Sequence, residues 1–430
     1  PISENILTFL RFYAIFTIGG SAMIERTNYL QKLIAWKDEQ IIKVVTGIRR
    51  CGKSTLLDIY KGYLKENGIG DEQIISVNFE DLENERLQDY RVLYVYLTER
   101  LCKGKTTYIF LDEIQKVEGF EKVVDSLYIK ENVDVYITGS NSWLLSGELA
   151  TLLSGRYVEI NMLPFSFAEF CQSRGGGDED RLFAEYMSDG AFPYIATMDR
   201  TKEKTDMYLE GIYNTVIVKD VEERQRRKEK DPNKRKVTDI ALLKNISKFL
   251  ANSVGSPVSV KKIADYITSS GRKVSQNTVD DYIEALVQAY IFYRAERYDV
   301  EGKQLLKQNG KLYIVDLGLR RYLLPKRNYD LGYSLENIIF LELLRRGYQV
   351  NVGRAGSTEI DFVTRKDDIL EYYQVTASLT EQTTFEREIA PLRKIRDNYP
   401  KKILTLDRFT LGNYDGIEVI NAIDWLLNKN

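Results

Sequence analysis

Gly47, Gly52, Lys53 and Ser54 follow the spacing Gly-x-x-x-x-Gly-Lys-Ser, which makes the run Gly47, Ile48, Arg49, Arg50, Cys51, Gly52, Lys53, Ser54, Thr55 a candidate phosphate loop. The chemistry explains the pattern. Glycines let backbone N–H groups converge on phosphate oxygens, a following helix adds the positive end of its dipole, the lysine reaches the β- and γ-phosphates, and the Ser54 hydroxyl is a ligand for Mg2+. A second run, Tyr108-Ile109-Phe110-Leu111-Asp112-Glu113, is an apolar stretch ending in two carboxylates. Beside a phosphate loop, Asp112 would share the Mg2+ with Ser54, and Glu113 would orient or deprotonate an attacking water. The expected cofactors are therefore ATP and Mg2+, with Lys53, Asp112 and Glu113 as the hydrolytic set.

Two more positions keep two readings each. In Thr138-Gly139-Ser140-Asn141, Ser140 and Asn141 either sense the γ-phosphate or cap a turn. Arg156 either stabilises transferring phosphate charge on a neighbouring subunit of an oligomer or is a solvated surface cation.

These residues need a scaffold that brings strand ends and helix starts together. From Gln40 to Met162, short apolar runs alternate with helical patterns, the signature of a parallel sheet covered on both faces. Strands are expected at 41–46, 74–79, 107–111, 133–138 and 157–161. The phosphate loop then lies between a strand and a helix, as its chemistry requires. Residues 163–220 read as helical, and Arg224 to Lys236, a charged run with Pro232, reads as an exposed loop. Between Ile240 and Val300 come three helical patterns and strand-like residues, with Ser275 placed to cap the third helix. This spacing suggests a helix-turn-helix with a wing. From Tyr333 the order is helix, strands at 349–352, 359–363 and 370–376, helix, and a strand at 402–406.

Composition narrows the function. The chain has 430 residues, 43% hydrophobic and 29% charged, which suits an ordinary globular protein of several domains. A net charge of -2 gives no global attraction to nucleic acid or anionic membrane. The complete lack of histidine excludes Ser-His-Asp and Cys-His nucleophilic sites and histidine-bound metals. Three widely spaced cysteines, Cys51, Cys102 and Cys171, fit reduced thiols and a cytoplasmic location. Residues 1–22, with the apolar run Ile6 to Ile18 broken by Arg11, read as an N-terminal extension rather than a membrane or export segment. No Asn-Lys-x-Asp base-reading motif follows the phosphate loop, which argues against a GTPase.

Gly-Ile-Arg-Arg-Cys-Gly-Lys-Ser-Thr-Leu-Leu, Phe-Leu-Asp-Glu-Ile-Gln, Ile-Thr-Gly-Ser-Asn-Ser and Leu-Ser-Gly-Arg-Tyr resemble the AAA-type ATPases of bacteria and archaea that carry a C-terminal domain of unknown function. Further matches are Leu163-Pro164-Phe165-Ser166-Phe167, Gly190-Ala191-Phe192-Pro193-Tyr194, Val315-Asp316-Leu317-Gly318-Leu319-Arg320 and Glu359-Ile360-Asp361-Phe362. The resemblance covers nearly everything after Met23. It implies an α/β chain with a P-loop parallel-sheet ATPase core, a helical subdomain, a winged helix and a C-terminal PD-(D/E)XK nuclease-like α/β domain. The expected division is an extension at 1–22, the P-loop ATPase domain at 23–162, a helical subdomain and linker at 163–236, the winged-helix domain at 237–330 and the nuclease-like domain at 331–430.

A nuclease of that fold would place Glu and Lys where this chain has Gln374 and Thr376. A neutral amide binds Mg2+ weakly and threonine supplies no positive charge, so a non-cleaving domain is expected, with Glu336, Glu359 and Asp361 left as metal-ligand candidates. DNA is a candidate partner through residues 240–300, where Ser275, Gln276, Asn277, Lys261, Lys262, Arg272 and Lys273 are usable, and through the basic loop 224–236. Asp280 and Asp281 oppose a DNA backbone, so a protein partner stands beside it. The expected function is ATP hydrolysis coupled to DNA or partner engagement. Its rivals are a slow nucleotide-gated switch and, further off, a DNA-cleaving enzyme.

Overall fold

The computed structural model describes residues 17–18, 21–22, 24–139, 153, 155–198, 201–216, 239–324 and 331–429. Among them, no helix is long and apolar enough to cross a membrane.

The N-terminal sheet is built from β1 (Ile42–Thr46), β2 (Ile74–Asn78), β3 (Thr107–Asp112), β4 (Val133–Gly139) and β5 (Tyr157–Asn161). Its order is β2-β3-β4-β1-β5, and every pairing is parallel. Burial on both faces explains the continuous apolar runs. Alternate side chains of β3 divide the core: Ile109 and Leu111 pack toward α3 (Tyr90–Thr98) and α4 (Phe120–Tyr128), whereas Tyr108 and Phe110 pack with Leu56 and Tyr60 of α2 (Lys53–Glu66). Each buried aliphatic chain there contributes roughly 2 kcal/mol. Before β1, α1 (Thr27–Ala35) buries Tyr29, Leu30 and Leu33.

The register sets the position of the site. Thr46 pairs with Gly139 and Asn161, and Asn78 pairs with Asp112, so the strand C-termini share one edge. Ligands of open parallel sheets bind at such an edge, between strand ends and helix N-termini.

The five expected strands of this sheet are present to within a residue at each end. After them come α5 (Phe167–Ser173), α6 (Glu179–Asp189), α7 (Pro193–Thr197) and α8 (Lys202–Thr215). Ser166 and Glu169 form a reciprocal capping box that starts α5.

Three helices follow, α9 (Ile240–Asn252), α10 (Val260–Ser269) and α11 (Gln276–Gln288), then an antiparallel hairpin of β6 (Phe292–Asp299) and β7 (Gln304–Ile314). Ser275 caps α11 by accepting from the Thr278 N–H. After α12 (Leu317–Leu323), the chain continues as α13 (Leu331–Arg345), β8 (Gln349–Ala355), β9 (Thr358–Lys366), β10 (Ile369–Thr376), α14 (Gln382–Arg393) and β11 (Lys401–Thr405). It ends in β12 (Gly412–Tyr414), β13 (Ile417–Asn421) and α15 (Ala422–Leu426). These strands and the hairpin form one sheet, ordered β12-β13-β11-β10-β9-β8-β6-β7. The hairpin joins it because β6 runs parallel to β8, with Val352 opposite Arg297.

The last strand pair and helix lie beyond the strand expected near 402–406 and are additions to the expected order. β12 is a three-residue edge strand, too short for periodicity to announce it, and β13 is a five-residue strand with charged Glu418 between its apolar residues. Nearly all of α13 is buried, including Glu336, Glu342 and Arg345, which is why this helix lacks a polar stripe.

Candidate functional site

The loop from 47 to 52 leaves β1 and enters α2 under tight backbone constraints. Gly47 adopts φ 140, and a Cβ there would lie 2.1 Å from the Met162 carbonyl oxygen. Only glycine fits. Gly52, at φ 102, is the residue ahead of α2, and Arg50 also lies in the left-handed region at φ 66. Ser54 and Thr55, in the first turn of α2, are exposed, whereas Lys53 is buried. The Lys53 ammonium donates to the carbonyls of Gly47 at 3.1 Å and Ile48 at 3.3 Å, and lies 4.0 Å from Glu113 Oε1.

At the end of β3, the two carboxylates diverge. Asp112 accepts from the hydroxyls of Thr138 and Ser54, and burial raises its pKa above the ordinary aspartate value, against the pull of those two hydroxyls. Glu113 turns into a left-handed backbone at φ 55, its N–H donating to Thr138 Oγ1 at 2.9 Å. Its Oε2 accepts from the Gln115 amide. Thr138 thus ties both acidic residues to β4.

The structure brings Gly47, Gly52, Lys53, Ser54, Asp112 and Glu113 to one sheet edge, with Ile48, Arg49, Arg50, Cys51 and Thr55 in the same loop and turn. The Arg49 guanidinium meets Glu80 Oε1 at 3.3 Å. Arg156 is elsewhere: it precedes Tyr157, which pairs with Ile42 at the N-terminal ends of the strands, on the order of 15 Å from the phosphate edge. There it pairs with Asp125 at 3.6 Å and lies over the Tyr128 ring. Ser140, Asn141 and the basic loop 224–236 lie outside the described residues.

The donor set fits Mg·ATP. A glycine-permitted cradle, a buried lysine, an exposed hydroxyl and a carboxylate bonded to that hydroxyl converge at the N-terminus of a 14-residue helix. Sequence reasoning gave no role to Gln115, although it closes the run Phe-Leu-Asp-Glu-Ile-Gln, and did not single out the N-terminal Arg26. Thr138 was legible only as part of a strand tip.

A second cluster sits under α13. Lys311 on β7 contacts Glu336 Oε1 of α13 and Glu359 Oε1 of β9, both at 2.9 Å, with Asp361 Oδ1 at 3.9 Å. Tyr313, two residues along the same strand, donates to Glu336 Oε1 at 2.6 Å, and Arg297 reaches Glu359 at 2.8 Å. Burial alone would lower the lysine's pKa, but Glu336, Asp361 and Glu359 outweigh it and push it above the ordinary value. Desolvation, followed by the charge of Glu336, pushes the Asp361 carboxyl well up. Gln374 accepts from the Asp361 N–H at 2.7 Å and donates to Glu388 at 2.9 Å.

A family model for an AAA domain matches residues 39–171, and one for a domain of unknown function (DUF8612) matches residues 180–330. With the parallel sheet and its phosphate-loop edge, this defines an AAA-type P-loop ATPase. An uncharacterized protein of Haemophilus influenzae is 42% identical over 95% of this chain and 100% of its own length. Another, from Methanocaldococcus jannaschii, is 31% identical over 89% of this chain and 85% of its own. The chain belongs to the family that these two proteins represent, and its own residues 39–171 match the AAA domain. Among solved structures, a Walker-type ATPase of Pyrococcus abyssi is similar over 70% of this chain and 96% of that one, at 17% identity and TM-score 0.44. Aquifex aeolicus DnaA bound to AMPPCP is similar over 63% and 89%, at 14% identity and TM-score 0.30.

Proposed function

We propose that this protein binds and hydrolyses ATP and uses its nucleotide state to control how its C-terminal elements engage DNA or a partner protein. The observation that carries the reading is the shared edge of Lys53, Ser54, Asp112 and Glu113. In it, loop amides and Lys53 would hold the phosphates, and Ser54 and Asp112 would hold Mg2+, which would supply charge neutralisation on the phosphate oxygens. Glu113 orients and deprotonates water, in the position that follows the metal-binding aspartate.

Reaching a phosphate requires Lys53 to leave its loop carbonyls. Steady-state turnover measured with and without duplex DNA tests the coupling: stimulation supports it. Gln115's hold on the Glu113 carboxylate favours the second reading, a slow nucleotide-gated switch, whose signature is low turnover indifferent to DNA.

We read the three helices at 240–288 and the hairpin at 292–314 as a winged-helix arrangement whose wing also extends the C-terminal sheet. Lys261, Lys262, Lys273, Gln276 and Asn277 are exposed there, and Arg272 is held by Asp239. Exposed cations and amides support contact with phosphates and base edges, while Asp280 opposes it.

The block from 331 to 430 reads as a nuclease-like fold that does not cleave. The Lys311 ammonium sits between the Glu336 and Glu359 carboxylates, where a divalent cation would have to enter. Gln374, in the place of a metal-binding glutamate, is engaged by Asp361 and Glu388. Supercoiled plasmid incubated with the protein and Mg2+ or Mn2+ should stay intact; nicking that tracks the protein would overturn this assignment.

A further inference from the structure

Arg26 belongs to neither the phosphate loop nor the acidic strand end, yet its guanidinium lies directly behind the loop. It precedes α1 in a left-handed backbone at φ 58, and only 2% of it is exposed. Its Nη1 donates to the Cys51 carbonyl at 2.9 Å, its Nη2 to the Leu163 carbonyl at 2.6 Å and the Pro164 carbonyl at 3.5 Å, and its Nε to Glu169 Oε1 at 2.9 Å. The rings of Tyr29 and Phe165 each lie 5.0 Å from it. A planar fork with this many fixed acceptors holds one orientation.

The Cys51 contact bears on the nucleotide. In a trans peptide, the carbonyl of one residue and the N–H of the next point in opposite directions. Holding the Cys51 oxygen toward Arg26 therefore aims the Gly52 N–H away from Arg26. The same guanidinium grips the segment where β5 gives way to α5. Arg345 of α13 donates to the Pro164 carbonyl at 3.1 Å, so a residue of the C-terminal block takes hold of the same turn.

We propose that Arg26 is a positioning residue of the nucleotide site, aiming the Gly52 amide at phosphate and tying that aim to the Leu163–Pro164 turn that Arg345 also grips. This rests on the ATP-binding reading above. A displacement of the helical segment or of α13 then reaches the loop through hydrogen bonds rather than through the sheet.

The test measures the Mg·ATP Kd, KM and kcat together with thermal unfolding on the full chain. In Arg26→Lys, which keeps the charge but loses the fork, Kd and KM should rise about tenfold, the scale of one charge-assisted bond, while kcat at saturation stays within about threefold. In Arg345→Lys, Kd should rise about threefold, and the double variant should fall short of the product of the single effects. A folded Arg26→Lys protein with lower thermal stability but unchanged Kd reduces Arg26 to a structural role and overturns the proposal. Should that variant fail to fold, Glu169→Met removes the acceptor of the Nε–H, and an unchanged Kd in that variant overturns it equally. Wild-type protein that bound no Mg·ATP would remove the nucleotide reading itself, and this inference with it.

Discussion

Each half of the molecule contains a buried lysine facing carboxylates, and the two are partnered differently. Lys53 donates to loop carbonyls, with Glu113 Oε1 4.0 Å away, at an edge where Ser54 and Thr55 are exposed. Lys311 makes two ion pairs at 2.9 Å and is sealed beneath α13. A lysine held by neutral carbonyls surrenders little when a phosphate replaces them. One clamped by two carboxylates would leave the buried Glu336 without its ammonium partner if it moved, while the half-buried Glu359 kept Arg297. On the proposed function, the same side chain is a ligand grip in one place and a fixed internal cation in the other.

The largest effects are expected at the nucleotide edge. Glu113→Gln should keep Mg·ATP binding and lose turnover by about 10²- to 10⁴-fold, the usual contribution of general acid–base catalysis. Lys53→Ala should lose binding and turnover together, as isothermal titration and phosphate release would show. Unchanged turnover in both would mean that the edge is not a hydrolytic site.

Stability separates the two lysines next. Lys311→Met leaves the buried Glu336 without its ammonium partner, Glu359 keeping Arg297, and should cost about 3 kcal/mol in denaturant unfolding, the lower end for breaking a buried pair. Lys53→Met removes hydrogen bonds to two carbonyls and should cost less than about 2 kcal/mol. Equal losses would erase the distinction between grip and internal cation. If Mn2+ restored the Lys311→Met protein but left wild type unmoved, the ammonium would be confirmed as a stand-in for a metal.

The nucleotide edge was legible in the sequence because its geometry is local. One strand, one turn and one helix carry Gly47 to Thr55, and a second strand ends in Asp112 and Glu113. The reading of Gln374 and Thr376 as standing where a nuclease would carry Glu and Lys came from the family resemblance rather than from local geometry. Lys311 was not legible, because its partners depend on β6 running parallel to β8, a pairing that no local pattern specifies. The signal available was a lysine and a tyrosine at period two, Lys311 and Tyr313, in an otherwise apolar strand end. Arg26 was hidden similarly, since its acceptors lie 25 to 143 residues away in sequence.

The finest test compares two aspartates whose pKa values both lie above the ordinary range, Asp112 because of burial and Asp361 because of desolvation followed by the charge of Glu336. A carboxyl raised on folding contributes stability that is complete below its unfolded pKa and is lost as pH rises through the folded one. Asp112→Asn and Asp361→Asn should therefore both flatten the decline of unfolding free energy from acidic to neutral pH. The flattening amounts to about 1.4 kcal/mol for each tenfold difference between the folded and unfolded ionisation constants. Mg·ATP breaks the symmetry. At a ligand concentration 100 times Kd, wild type and Asp361→Asn should both gain about 2.7 kcal/mol, whereas Asp112→Asn should lose most of that gain because its amide is a poor Mg2+ ligand. In wild type the gain should shrink as pH falls toward the raised pKa of Asp112, since its protonated form gives up the metal. An Asp361→Asn protein that lost the Mg·ATP stabilisation as completely as Asp112→Asn would show that the C-terminal cluster takes part in nucleotide binding, and the separation of the two lysines would then have to be abandoned.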